Sequence, residues 1–146
     1  MKTYIALLRG INVGGKTSIK MDILRSVLPE PDFVNVSTYI QSGNIVFQSR
    51  ITDIATIQLK IRTIIENHFA LDVPIIVILP IELLSVINNN PFAEEHAANP
   101  TQPYFSFLSE TPDIENLKKL QNIDFGPDRF IANGKTLYIY YVHLNI

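Results

Sequence analysis

From residue 34 the side chains alternate, Val34, Val36, Thr38 and Ile40 against Asn35, Ser37, Tyr39 and Gln41. This two-residue period holds the segment to a half-buried strand. Gln41-Ser42-Gly43-Asn44 reverses the chain and residues 45–47 return, so residues 34–47 read as an antiparallel hairpin. Before the hairpin, residues 3–9 form a mostly apolar run stopped by Gly10, expected to be a strand buried on both faces. Met21, Ile23, Leu24, Val27 and Leu28 then form a helical stripe that ends at Pro29 and Pro31. After the hairpin, Thr52 or Asp53 can cap a long helix with the stripe Ile57, Leu59, Ile61, Ile64, Ile65 and Phe69. Residues 73–79 read as another buried strand. The order β-α-β-β-α-β, complete by about Pro80, is the ferredoxin-like arrangement, and nothing in it demands a doubly wound parallel sheet.

The second half is read more coarsely. Residues 80–87 form a short helix ended by Asn88-Asn89-Asn90-Pro91, and a polar loop runs on through Pro103. A strand at 104–108 and a helix at 113–120 follow, then a hairpin of 129–132 and 136–142 across Asn133-Gly134. With residues 75–79 counted as shared, this repeats most of the first half. The expected fold class is therefore α+β, with a ferredoxin-like unit at 1–80 and a second, incomplete ferredoxin-like unit at 74–146.

An apolar fraction of 47% against 18% charged residues supports a packed core rather than disorder. The absence of cysteine excludes disulfides, thiolate nucleophiles and cysteine zinc sites. The longest apolar run, residues 73–81, contains Pro74 and Pro80 and is far short of the ~20 residues a bilayer span needs. Residues 4–8 are too short for a signal-peptide core and are cut off by Arg9. The expectation is a cytoplasmic protein with no membrane anchor. A net charge of −2 hides an asymmetry. Lys2, Arg9, Lys16, Lys20 and Arg25 face one acid, Asp22, over the first 28 residues, while residues 81–128 carry eight acids and only Lys118 and Lys119. Such lobes could attract an anion locally or simply each other.

Gly10-Ile11-Asn12-Val13-Gly14-Gly15-Lys16-Thr17 matches the phosphate-loop pattern G-x-x-x-x-G-K-[ST] and follows an apolar strand. In a nucleoside triphosphatase, backbone amides would wrap a phosphate, Lys16 would neutralise it and Thr17 would hold magnesium. Against this, Ile19 and the Met21 stripe start the helix several residues too late. No apolar strand ends in an aspartate suited to the metal, and the hairpin implies an antiparallel sheet. RNA binding on the sheet would use Tyr4 and Phe47 as stacking platforms. Residues 42–47 lack the basic residue and second aromatic of that frame, and a negative chain disfavours a nucleic-acid partner. Their plain reading is as core or interface aromatics.

A third reading follows from topology. The first and second strands of a βαββαβ sheet run the same way, so the 9–16 loop and the 41–44 turn share an edge. Arg9 and Lys16 could hold a small anionic or phosphate-bearing ligand there. Gly14 and Gly15 would allow close backbone approach, while Asn12, Gln41, Ser42 and Asn44 supply donors and acceptors. The plain alternative is that glycine and asparagine are what tight turns need, with Asn12 capping the loop internally. A protein-interaction module is a fourth reading.

Several stretches together resemble the family called domain of unknown function 1697. They are residues 8–16, Lys20-Met21, residues 38–44 with Val46-Phe47, and Asn90-Pro91-Phe92. The resemblance implies a bacterial family of two ferredoxin-like halves with no assigned activity, in which the position of Thr17 is not reliably a hydroxyl residue. It also implies basic Gly-Arg-Ser-Lys-like and Thr-Arg-Asn-Trp-like segments after residues 137–142. This sequence ends in Tyr141-Val142-His143-Leu144-Asn145-Ile146 and contains no tryptophan, so an activity needing those segments is expected to be missing.

Other chemistry is thin. His68 is placed near the end of the long helix, where it caps carbonyls or meets the dipole. Glu94-Glu95-His96 reads as a solvated patch rather than a metal cluster, and His143 as a frayed terminus. Ser42 has no base nearby in sequence, and no carboxylate pair stands out for acid–base work. No catalytic residue, metal or cofactor is assigned, and oligomeric state is not legible.

Overall fold

The computed structural model describes residues 1–142 of the 146. The chain divides into two compact units, Met1–Leu83 and Leu84–Ile146.

In the first unit β1 (Lys2–Leu8) leads to α1 (Met21–Val27), then to the hairpin of β2 (Val34–Tyr39) and β3 (Asn44–Ser49). Next come α2 (Ile54–Phe69) and β4 (Ile75–Ile78). The sheet order is β2-β3-β1-β4, antiparallel throughout, which is the ferredoxin-like topology. Side chains of period two put Tyr4, Ala6, Leu8, Ile45 and Phe47 on one face, where they are buried with Leu24 and Leu28 of α1 and Ile57, Ile61, Ile64 and Ile65 of α2. The other face of β1 is only half-buried, so the expectation of a strand buried on both faces is corrected. Asp53 is the cap of α2, accepting from Thr56 N at 2.9 Å. Its hydrogen bonds from the Thr56 side chain and amide favour the charged form and hold its carboxyl below the usual range. Leu59 is the one misplaced member of the stripe. It lies two residues from Ile57 and from Ile61, about 200° around the helix, and is 65% exposed.

Strand β2 keeps its alternation, with Val34, Val36 and Thr38 half-buried and Asn35, Ser37 and Tyr39 exposed. The register shifts between Val34 and Ser37, where Asn35 takes φ 54°, a bulge in an edge strand. Ile40 does not continue the inner face as the alternation predicted. It turns out of the strand at φ 53° and is 59% exposed.

The second unit contains α3 (Pro80–Asn88, shared at its start with the first), α4 (Ala93–Ala98), β5 (Tyr104–Phe107) and α5 (Ile114–Gln121). The hairpin of β6 (Arg129–Asn133) and β7 (Thr136–Tyr140) completes it. Helix α4 occupies part of the segment read as loop; its Ala and Glu residues favour helix, and the breaker run before it hid the start. The sheet order is β5-β7-β6, antiparallel. Residues 75–79 are not shared with it, because β4 pairs with β1 instead. The repeat of the first unit's order therefore begins at β5. One face of this sheet packs Phe105, Phe107, Tyr138 and Tyr140 against Val86 and Phe92.

Tyr138 fastens that core, donating from Oη to the Val86 carbonyl at 2.8 Å. Burial pushes its phenol up from the ordinary value of about 10. The folded state thus favours the neutral phenol, and this contribution is complete below the unfolded pKa and lost as pH rises through the folded one. Tyr138→Phe is expected to cost about 1–2 kcal/mol near neutrality by orphaning the Val86 carbonyl, and to remove this alkaline loss of stability. Urea melts at neutral and alkaline pH read both effects.

Among the described residues no helix is long and apolar enough to cross a membrane.

Candidate functional site

The two turns expected at one edge do meet. Strand β1 ends with Leu8 N donating to the Gly43 carbonyl at 2.9 Å, and Arg9 N donating to the Pro74 carbonyl at 3.0 Å. Beyond it the chain leaves the sheet as a loop closed at its neck, where Asn12 N donates to Thr17 O at 2.8 Å and Thr17 Oγ1 to Gly10 O at 2.6 Å.

Asn12 is the residue that joins loop to turn. At φ 55° it occupies the left-handed region that asparagine tolerates. Its Nδ2 donates to the Ile19 carbonyl at 3.0 Å and to the Gln41 carbonyl at 2.6 Å, while Oδ1 accepts from Ile19 N at 2.8 Å. Its side chain is thus committed to backbone, so Asn12 builds the rim. Asn44 is similarly engaged, donating from Nδ2 to Tyr39 O at 3.0 Å and to Ser42 Oγ at 3.1 Å. Gly43 closes the junction. It is buried at φ 86°, and a Cβ there would lie 2.8 Å from Leu8 Cβ and 2.6 Å from Ile11 Cδ1.

A smaller set of rim side chains faces outward, Ser42 among them although its Oγ accepts from Asn44. Arg9, Lys16, Gln41 and Ser42 are exposed, and among the described residues Arg9 and Lys16 have no ion-pair partner. Gly14 and Gly15 take φ 66° and 75° with open space where a Cβ would stand. Gly14 and Gly15 form the centre of a turn, and the amides of Val13, Gly14 and Gly15 donate to no protein acceptor among the described residues. Residues 9–20 hold three cations and no acid, and residues 39–44 hold no charge at all. Asp32 and Asp72 of this unit are paired elsewhere, with Lys60 at 2.8 Å and Arg62 at 2.6 Å. Sequence reasoning passed over Val13 and Ile40 on this rim. Both are well exposed, and the left-handed backbone that turns Ile40 outward has no signature in the residue itself.

The phosphate-loop reading is not supported by this geometry. Helix α1 begins at Met21, four residues after Thr17, so Lys16 does not open a helix, and the Thr17 hydroxyl is already bonded within the loop. The sheet is antiparallel, as the hairpin implied. The RNA reading loses its platform too. Tyr4 and Phe47 stack on each other at 5.7 Å inside the core, and Tyr4 Oη donates to the Ile51 carbonyl.

His68 lies in the last turn of α2. Glu94 and Glu95 fall in the first turn of α4, where they complement the helix dipole. Glu95 is held below the usual carboxylate range, first by a backbone hydrogen bond and then by Arg129 at 3.1 Å. His96 Nδ1 lies 2.6 Å from the Gln102 carbonyl. No group of three or more His, Cys, Asp or Glu among the described residues could hold a metal ion. His143 lies outside the described residues.

The family profile described as "Protein of unknown function (DUF1697)" matches residues 1–138, and the chain belongs to that family. Among solved structures, it is similar to the conserved bacterial protein SP0830 from Streptococcus pneumoniae. The TM-score is 0.76 and the identity 24%, over 94% of this chain and 75% of that one. At that identity the likeness is one of fold. No curated protein matches.

Proposed function

We propose that the rim formed by the 9–16 loop and the 41–44 turn binds a small anionic ligand, phosphate-bearing by preference. The observation that carries this reading is the bonded junction of the two turns. It holds three open backbone amides beside Arg9 and Lys16, with no acid on either segment. Main-chain amides in a glycine turn make anion-binding concavities, and charge-assisted hydrogen bonds to oxyanions are about twice as strong as neutral ones. Gln41 and Ser42 would orient the ligand, while Asn12 and Asn44 keep the two segments in place. Val13 and Ile40 supply apolar surface alongside. The role is binding, with no group assigned to catalysis. A cytoplasmic setting belongs to the proposal and is supported by a packed chain without cysteine.

The test is a thermal-shift and calorimetric screen of inorganic phosphate, pyrophosphate and nucleoside mono- and diphosphates. Wild-type protein is expected to bind at least one of them. Arg9→Ala or Lys16→Ala should weaken that binding about tenfold or more, since each removes a charged contact. Both side chains are exposed, so the variants should melt like wild type without ligand. A flat screen, or equal binding by all three proteins, refutes the reading.

A further inference from the structure

Two side chains on the rim are used neither by the fold nor by an anion. Tyr39 ends β2 and is 70% exposed, more than any other aromatic residue among the described ones. Ile40 follows it at φ 53° and is also largely in water. A side chain branched at Cβ fits poorly in the left-handed region, where glycine or asparagine sits with less strain. Ile40 bears that strain and returns little to the core for it, and strain of this kind gathers at ligand sites.

Strand pairing sets where Tyr39 stands. It is paired with Asn44, and Asn44 with Leu7, so the three form one row across the sheet and project from the same face. That face looks away from the helices, because Val36, Ile45, Ala6 and Leu8 of the same strands pack on the other side. The two-residue period carries Arg9, two positions beyond Leu7, to the face of Tyr39, and the Arg9 amide still donates to the adjoining Pro74 carbonyl. Tyr39 and Arg9 are thus separated by two strand spacings, about 10 Å across the sheet. Asn44 lies between them and holds the Tyr39 carbonyl through Nδ2 at 3.0 Å. The glycine turn and Lys16 belong to the loop that Asn12 ties to Gln41, two residues from Tyr39, at 2.6 Å. Residues 33–47 carry no charge, so the aromatic end of the rim is neutral and the loop end cationic.

We propose that the ligand of the rim is a nucleotide, with its phosphate at Arg9, Lys16 and the glycine turn and its base stacked on Tyr39 beside Ile40. A cationic, amide-lined end and an aromatic platform two strands away match the two halves of such a molecule. Stacking accepts any base, because every base has a π-face. The proposal rests on the rim reading and adds to it the half of the ligand that an anion site alone does not specify.

Calorimetric titration of the full chain compares adenosine monophosphate and uridine monophosphate with ribose 5-phosphate, which keeps the sugar and phosphate but lacks a base. Both nucleotides are expected to bind about fivefold or more tightly than ribose 5-phosphate. Tyr39→Ala should abolish that difference while leaving ribose 5-phosphate binding unchanged, and Tyr39→Phe should preserve it. Ile40→Asn should narrow the difference and melt no lower than wild type, since asparagine tolerates the backbone there. Both positions are exposed, so the variants are expected to fold, which circular dichroism checks. If all three probes bind alike, or the difference survives Tyr39→Ala, the nucleotide assignment is overturned and the anion site stands. Binding by none of them removes both readings. Tighter binding of a single-stranded oligoribonucleotide than of either mononucleotide also overturns the assignment, because the partner would then be a nucleic-acid strand.

Discussion

Gly43→Val is expected to destabilise the first unit by about 2–5 kcal/mol, more than any exchange at the other loop glycines. Two costs coincide at this position. A φ of 86° is a conformation that L side chains rarely adopt, worth about 1–2 kcal/mol on its own. The added Cβ would also stand 2.8 Å from Leu8 Cβ, an atom fixed to the end of β1, and 2.6 Å from the more movable Ile11 Cδ1. Overpacking of this kind costs about 1–3 kcal/mol, and branching at Cβ leaves fewer rotamers to escape it. At Gly14 and Gly15 an added methyl would meet open space, so alanine there should show the conformational cost alone. Urea unfolding followed by circular dichroism separates the cases. A Gly43→Val midpoint equal to wild type would mean that the turn and the loop do not touch.

Asn12→Ala is expected to cost about 2–4 kcal/mol. It deletes two donated hydrogen bonds and one accepted bond, leaving the Ile19 carbonyl, the Ile19 amide and the Gln41 carbonyl to find other partners. It also places alanine at φ 55°. Asn12→Gly isolates the first part, since glycine accepts the backbone while losing the bonds. Asn12→Asp turns the two donors into oxygen lone pairs facing carbonyls and should be no better than alanine. If the rim binds phosphate compounds, Asn12→Gly should weaken that binding without removing any ligand contact, through loss of the fixed spacing between loop and turn. An Asn12→Ala protein as stable as wild type would show that the loop is held by its neck alone.

The first half is legible because its rules are local. The alternation in residues 34–39, the stops at Gly10 and Pro29 and the Asp53 cap each act within a few residues, and the elements fall where those signals put them. Joined by the βαββαβ order, they also imply the meeting of the two turns. The departures have non-local causes. Ile40 looks like the next inward residue of a strand, but the turn takes it out at positive φ. Strand β4 reads as common to both halves, whereas pairing with β1 uses it in one. Asn12 and Lys16 look alike as polar loop residues, yet one is bonded three times to backbone and the other has no ion-pair partner among the described residues.

The sequence by itself determined the elements, the α+β class and the two segments that form the rim, because hydrophobic period and turn chemistry act between near neighbours. Only the tertiary structure decided which polar side chains on that rim are used up and which stay free. Those outcomes depend on which distant backbone groups and apolar surfaces come within bonding distance once the chain has closed on itself.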